Sequence, residues 1–267
     1  MRAFLISALR SGLRGHSFHA VFLLGLLLIG GAYLAALFSP RQPETVALDV
    51  GLSGIRFALV LMAVFWVQEL VGKEIERRTT IQYLAYPIHR AQYILGRFSG
   101  ITILLLVATI TLALLLWILV IASSTYYAQS HPGALGYPFW ITIIGVWLDV
   151  VVVAAFTLCI AALSTVPALP LVLGIAFALA GHTLGAVMDY LARGADGQDV
   201  LTTTYAPMIN VVRWLVPDLS RLDWRIWPMY DLPMPSGSIM LAFSMAAGYV
   251  TLMLCIAVHL FSRREFD

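Results

Sequence analysis

Three ionisable residues stand where the surrounding sequence is almost pure hydrocarbon. Asp149 lies in the run Trp147-Leu-Asp-Val-Val-Val-Val-Ala154, and His182 and Asp189 lie seven positions apart in a second apolar run. A spacing of seven puts His182 and Asp189 on one helical face, two turns apart. On insertion scales a carboxylate at the bilayer centre costs about 2.5–3.5 kcal/mol, which the flanking apolar residues offset. Such a residue marks a transport pathway, a proton site or a polar pair between helices, and the sequence leaves the three open. Other chemistry finds little support. No HxxxH or HExxH occurs, the methionines are scattered, and no Ser/His/Asp set falls on one wall. Cys159 and Cys255 form no CxxC and read as small buried hydrophobes. Lys73 is the only lysine, and Gly72-Lys73 is followed by Glu74 where a phosphate-binding loop needs Ser or Thr. No ATP hydrolysis is therefore expected in this chain.

The densest polar stretch covers residues 68–97. It holds Glu69, Lys73, Glu74, Glu76, Arg77, Arg78, Arg90 and Arg97, eight charges of a chain with 16 Lys+Arg and 14 Asp+Glu. Glu69–Lys73 and Glu74–Arg78 are acid-to-base pairs at i,i+4, each worth about 0.3–0.5 kcal/mol on an exposed helix. They predict a helix that continues out of the preceding apolar run to Arg78. Thr79-Thr80-Ile81-Gln82 reads as a capping box that opens a short helix over residues 80–85, and Pro87 stops it. Ile81, Tyr83 and Leu84, with Tyr86 beyond, then form an apolar cluster beside a basic collar. Full burial of each large side chain is worth about 1.5–3 kcal/mol, so such a rod in water calls for a partner that covers it. A third helix starts near Arg90 and runs on into the next apolar run.

The elements that must hold these residues are membrane spans. Hydrophobic residues make up 61% of the chain, charged residues 11%, and mean hydropathy is +0.90. Soluble domains are nearer 45–50% apolar and about 25% charged. A net charge of +2 gives no reason to expect nucleic acid. One all-α integral membrane domain is expected, with spans at residues 18–38, 55–71, 101–122, 139–163, 171–191 and 238–261. The first is longer than the apolar core of a signal peptide, and with the chain beginning at Met1 no cleavage ahead of it is expected. Residues 1–15 are amphipathic, with Leu5, Ile6, Leu9 and Leu13 opposite Ser7, Arg10, Ser11 and Arg14, which suits a helix in the membrane interface. Residues 39–54 read as an external segment, and Arg56 as a side chain snorkelling to headgroups. Glycines 25, 30 and 31 in the first span and 174, 181 and 185 in the fifth allow close helix approach, Gly181-x-x-x-Gly185 having the small-xxx-small spacing. The longest loop, residues 192–237, carries the interfacial tryptophans Trp214, Trp224 and Trp227 and reads as an interfacial helix over 204–215 followed by an irregular flap. Six spans put both termini on one side. That side carries ten positive residues (Arg2, Arg10, Arg14, Lys73, Arg77, Arg78, Arg90, Arg97, Arg263, Arg264) against six, and is therefore expected to be cytoplasmic.

The pattern Glu-x-x-Gly-Lys-Glu followed by Ile-x-x-Leu-x-Tyr-Pro-Ile-x-Arg-x-x-Tyr-Ile-Leu-Gly-Arg, between Glu69 and Arg97, resembles the loop between spans two and three of ABC-2-type transporter permeases. Pro217-Asp-Leu-Ser-Arg-Leu-Asp223 is similar to the external loop of that family, in the branch linked to multicopper-enzyme maturation. The resemblance covers the whole topology and implies a type V exporter-like fold. It makes Thr79, Thr80, Ile81, Gln82, Tyr83, Leu84 and Ala85 a coupling helix seated in a groove of a cytosolic ABC ATPase, with Arg77, Arg78 and Arg90 as flanking contacts. It implies two ATPase subunits that supply the ATP and Mg chemistry, a second permease copy or a related chain, and a bacterial inner membrane. It makes the loop with Trp214, Pro217, Asp218, Arg221, Asp223 and Trp224 a gate or the seat of a periplasmic partner. The other readings are an ion-coupled carrier using Asp149, Asp189 and His182, and a membrane anchor without transport.

Overall fold

A computed structural model describes residues 7–8, 10–12, 15–39, 41–72, 90–124, 133–164, 166, 168–192, 217–232 and 236–263. The helices are α1 (His16–Leu37), α2 (Pro43–Val67), α3 (Arg90–Ser124), α4 (Tyr137–Leu163), α5 (Leu169–Ala192), the short α6 (Ile226–Tyr230) and α7 (Ser236–Arg263). A single π-turn, Gln68–Gly72, extends α2, and a 3-10 turn, Leu219–Leu222, precedes α6. Among the described residues, five helices are long and apolar enough to cross a membrane: Phe18–Leu37, Pro43–Gly72, Arg90–Ser123, Tyr137–Leu163 and Gly237–Arg263. The apolar part of α5, Leu169–Gly185, is shorter.

Proline placement explains two of the starts. Pro43 and Pro138 sit in the first turns of α2 and α4, where no amide donor is required and the fixed φ is already helical. This is why residues 43–54, expected as an external segment, are helix instead. Inside the bundle, threonine hydroxyls are satisfied along their own helix. Thr109, Thr142 and Thr157 each donate to the carbonyl four residues back, at 2.7, 2.9 and 2.8 Å.

The middle of the bundle is α4, which packs against α2, α3, α5 and α7 and buries Val150, Val152 and Val153 completely. α5 runs antiparallel to it: Gly174 faces Thr157, Phe177 stacks on Phe156 at 4.1 Å, and His182 reaches Asp149. α1 lies along α2, its outer side left bare at Leu23, Leu27 and Leu34. At the other end of α2, Trp66 stacks on Phe18 and donates to the Gly12 carbonyl at 3.2 Å, fastening the chain before α1 to the bundle. Cys159 is buried as expected, whereas Cys255 is exposed on α7.

Candidate functional site

Side chains from three helices and one loop meet in a charge cluster that is buried at Arg56 and Asp149 and reaches the surface at Asp49 and Ser53. On α2, Asp49, Ser53 and Arg56 follow at i, i+4 and i+7 and so share a face. On α4, Thr142, Gly145 and Asp149 stand at i, i+3 and i+7 and also share a face, and α5 adds Ala178 and His182. The loop brings Asp223 and Arg225. Arg56 Nη1 donates to Asp223 Oδ2 at 2.8 Å, and its Nε lies 3.4 Å from Asp149 Oδ2. His182 places Nε2 2.9 Å from the same Asp149 oxygen and Nδ1 2.6 Å from the Ala178 carbonyl. The ring thus links Asp149 on α4 to the backbone of its own helix. Arg225 grips Asp223 through Nε and Nη2, both at 2.8 Å, and reaches Asp49 at 3.2 Å and the Ser53 hydroxyl.

Asp149 is wholly buried. A buried charge survives only when paired, and Arg56 and His182 provide that pairing. The sequence expectation that Arg56 snorkels outward is therefore corrected: two carboxylates on neighbouring elements turn it inward. Asp223 lies outside the spans. Burial pushes its carboxyl upward, but the hydrogen bonds and charges of Arg225 and Arg56 outweigh burial and hold it at about 2. The hydrogen bond to Asp223 raises Arg225 above the usual guanidinium range.

The loop that carries Asp223 is a fitted wedge rather than an irregular flap. Asp218 caps its 3-10 turn by accepting from the Ser220 amide at 3.2 Å, and Arg221 pairs with Asp218 at 3.2 Å. Trp224 is buried, its indole donating to the Arg221 carbonyl at 2.8 Å while its own carbonyl accepts from Thr142 at 3.1 Å. Glycines make the seat. A Cβ on Gly145 would lie 2.7 Å from the Leu222 carbonyl oxygen and 2.9 Å from the Trp224 ring. A Cβ on Gly181 would lie 2.6 Å from Leu219, and one on Gly185 would collide with Ser220. The Gly181-x-x-x-Gly185 spacing thus admits a loop, while Gly174, close against Thr157, admits a helix.

Of the residues singled out in the sequence, Asp149 and His182 are joined directly, and Asp218, Arg221, Asp223 and Trp224 build the wedge that opens at Pro217. Asp189 lies on α5 two turns beyond His182, and its side chain is outside the described residues. Arg90, the first residue of α3, donates to the carbonyls of Phe261 and Ser262 at 3.3 and 2.9 Å, at the end of α7. Arg77, Arg78, the segment Thr79 to Ala85, and Trp214 with the expected helix over 204–215 lie outside the described residues. Sequence reasoning missed Asp49, Ser53, Gly145 and Arg225. The i, i+4, i+7 spacing of Asp49, Ser53 and Arg56 was the available signal.

The described residues form a bundle whose five long apolar helices suit a membrane, with a paired charge cluster inside and a loop wedged into one end. The sequence matches the profile of the ABC-2 family transporter proteins over residues 9–266. The chain belongs to that family and is a multi-pass ABC transporter permease. No curated protein matches it closely.

Proposed function

We propose that this permease exports or flips a substrate across the bacterial inner membrane, driven by separate cytosolic ATPase subunits that bind ATP and Mg. The family match over residues 9–266 carries the reading. The absence of a phosphate-binding loop in the sequence supports a motor on another polypeptide. In this reading α5 is a sixth span, both termini are cytoplasmic, and two permease copies or two related chains flank the pathway. Residues 79–85 form the coupling helix, flanked by Arg77, Arg78 and Arg90. The polar segment leaves α2 through a π-turn and returns at α3, whose first residue is tied to the end of α7. A push on that segment is therefore delivered to three helices at once. At the opposite end the wedge 217–232 acts as the outer gate or receives a periplasmic partner. The ion-coupled reading draws less support, because Asp149 and His182 are engaged with Arg56 and with each other.

The test is co-purification. Tyr83→Asp with Leu84→Asp is expected to release the ATPase from the detergent-solubilised complex while the permease still elutes as a folded species. Undiminished recovery of the ATPase overturns the coupling role.

A further inference from the structure

Arg56 uses its two edges differently. On one edge Nη1 donates to Asp223 of the wedge at 2.8 Å. On the other, Nε lies 3.4 Å from Asp149 Oδ2, longer than a well-formed hydrogen bond. Neither Nε nor its neighbour Nη2 has a hydrogen-bond partner among the described residues. Asp149 Oδ1 has none either, while Oδ2 is engaged by His182 at 2.9 Å. Solvent does not relieve these atoms, because Asp149 is wholly buried and Arg56 nine-tenths buried. One ion pair thus holds two orphan donors and one orphan acceptor. Nε and Nη2 are the two teeth of a planar fork, and a fork closed on a carboxylate gives each tooth its own oxygen. The pieces of a bidentate pair are present, but they are not seated.

The charges divide along the same line. Inside the wedge, Arg225 holds Asp223 through Nε and Nη2, both at 2.8 Å. Its contacts on α2 are Asp49 and Ser53, both exposed. A wedge that lifts away therefore takes a paired Asp223 and Arg225 with it, returns Asp49 and Ser53 to water, and leaves Arg56 with Asp149. No buried charge is stranded, which is the usual penalty for pulling an ionic network apart. We propose that Arg56 is a two-position latch: it holds Asp223 while the wedge is docked and closes as a fork on both oxygens of Asp149 when the wedge is released. Asp149 is then a positioning residue that acts on the wedge through Arg56 and favours the released state. The inference rests on the reading of residues 217–232 as the outer gate and names what its opening depends on.

A buttress predicts the opposite sign. If Asp149 only braces Arg56 against Asp223, removing its charge loosens the wedge; if it receives the fork on release, removing its charge keeps the wedge shut. The test is hydrogen exchange of the peptides covering residues 217–232, read by mass spectrometry on the full-length chain in nanodiscs, with peptides of α2 and α4 reporting global unfolding. Asp149→Asn keeps an oxygen for His182 and is expected to slow exchange of the wedge by about tenfold, the effect of one charge-assisted hydrogen bond. Asp223→Asn is expected to quicken it, and Asp149→Asn added to that chain to reverse most of the gain. Unchanged or faster exchange in Asp149→Asn, with α2 and α4 as protected as before, overturns the latch and leaves the gate reading standing; a water that already bridges Arg56 and Asp149 in the docked state gives this result. Wild-type wedge peptides that exchange no faster than α2 and α4 overturn the gate reading and the latch with it. If Asp149→Asn loosens the whole bundle, a structure of the Asp223→Asn chain decides: Nε and Nη2 of Arg56 are expected within hydrogen-bonding distance of the two Asp149 oxygens, and a guanidinium that stays unseated or turns to solvent overturns the proposal.

Discussion

Arg56 and Asp223, 167 positions apart in sequence, meet at 2.8 Å. That bond ties the loop ahead of the last helix to the middle of α2, and Asp149 lies on the other side of the same guanidinium. One side chain therefore joins the wedge to α4 through α2, and the consequences can be measured.

Removing Asp149 strands two bases. Asp149→Ala leaves Arg56 without its α4 partner and His182 without its acceptor, and is expected to destabilise the bundle by about 3–5 kcal/mol. Asp149→Asn keeps an acceptor for His182 and is expected to cost less. Thermal unfolding of the detergent-solubilised chain, followed by retained monodisperse protein, ranks the two. Equal loss in both, or none in either, refutes the pairing.

The wedge has a defined acid limit. The folded Asp223 carboxyl sits at about 2, below its ordinary 3.8. A depressed carboxyl contributes stability that is fully present above the unfolded value and disappears as pH falls through the folded one. The loop is therefore expected to stay docked at pH 5 and to loosen between about pH 4 and pH 2. Exposure of Trp224, read by fluorescence quenching, follows the transition, and Asp223→Asn is expected to show raised exposure already at neutral pH. A transition centred at pH 5 or above contradicts the double arginine contact.

The glycine seat is steric. Gly145→Val drives a branched side chain into the Leu222 carbonyl and the Trp224 ring, neither of which yields cheaply, and overpacking of this kind costs about 1–3 kcal/mol. Gly30, with open space around a built Cβ, is the control. Gly30→Ala is expected to be neutral or to stabilise by up to about 1 kcal/mol through helix propensity. Proteolysis within residues 217–232 distinguishes them: only Gly145→Val should accelerate it.

Arg90 secures the end of the last helix. Arg90→Ala removes both hydrogen bonds to the carbonyls of Phe261 and Ser262, a loss of about 1–2 kcal/mol for a charged donor at a helix C-terminus. Thiol labelling of Ser262→Cys is expected to quicken in that background. Tyr93, one turn further along α3 and stacked on Phe261 at 5.6 Å, limits the fraying to the last turn.

Hydropathy made most of the bundle legible. Runs such as Val150–Val153 can only be buried or lipid-facing, but Pro43 ends one helix as readily as it opens the next, and residues 43–54 of α2 went unread for that reason. Asp149 and His182 could be picked out because charge among hydrocarbon demands an explanation. Their joining could not be read, because they stand 33 positions apart across a turn whose geometry decides which faces meet. Arg56 was misjudged for a related reason: a lone arginine near a span's end snorkels unless an acid lies within reach, and Asp223 is distant in sequence. The wedge was the least legible part. Its shape depends on three glycines in two other helices, and a glycine in sequence says only that something approaches closely.

α5 is shared by the wedge and the charge cluster. Gly181 and Gly185 cradle the loop on one side of the helix, while His182 reaches Asp149 on another. The helix behaves as an axle with two cams. Any rotation of the helix about its length would displace both contacts together.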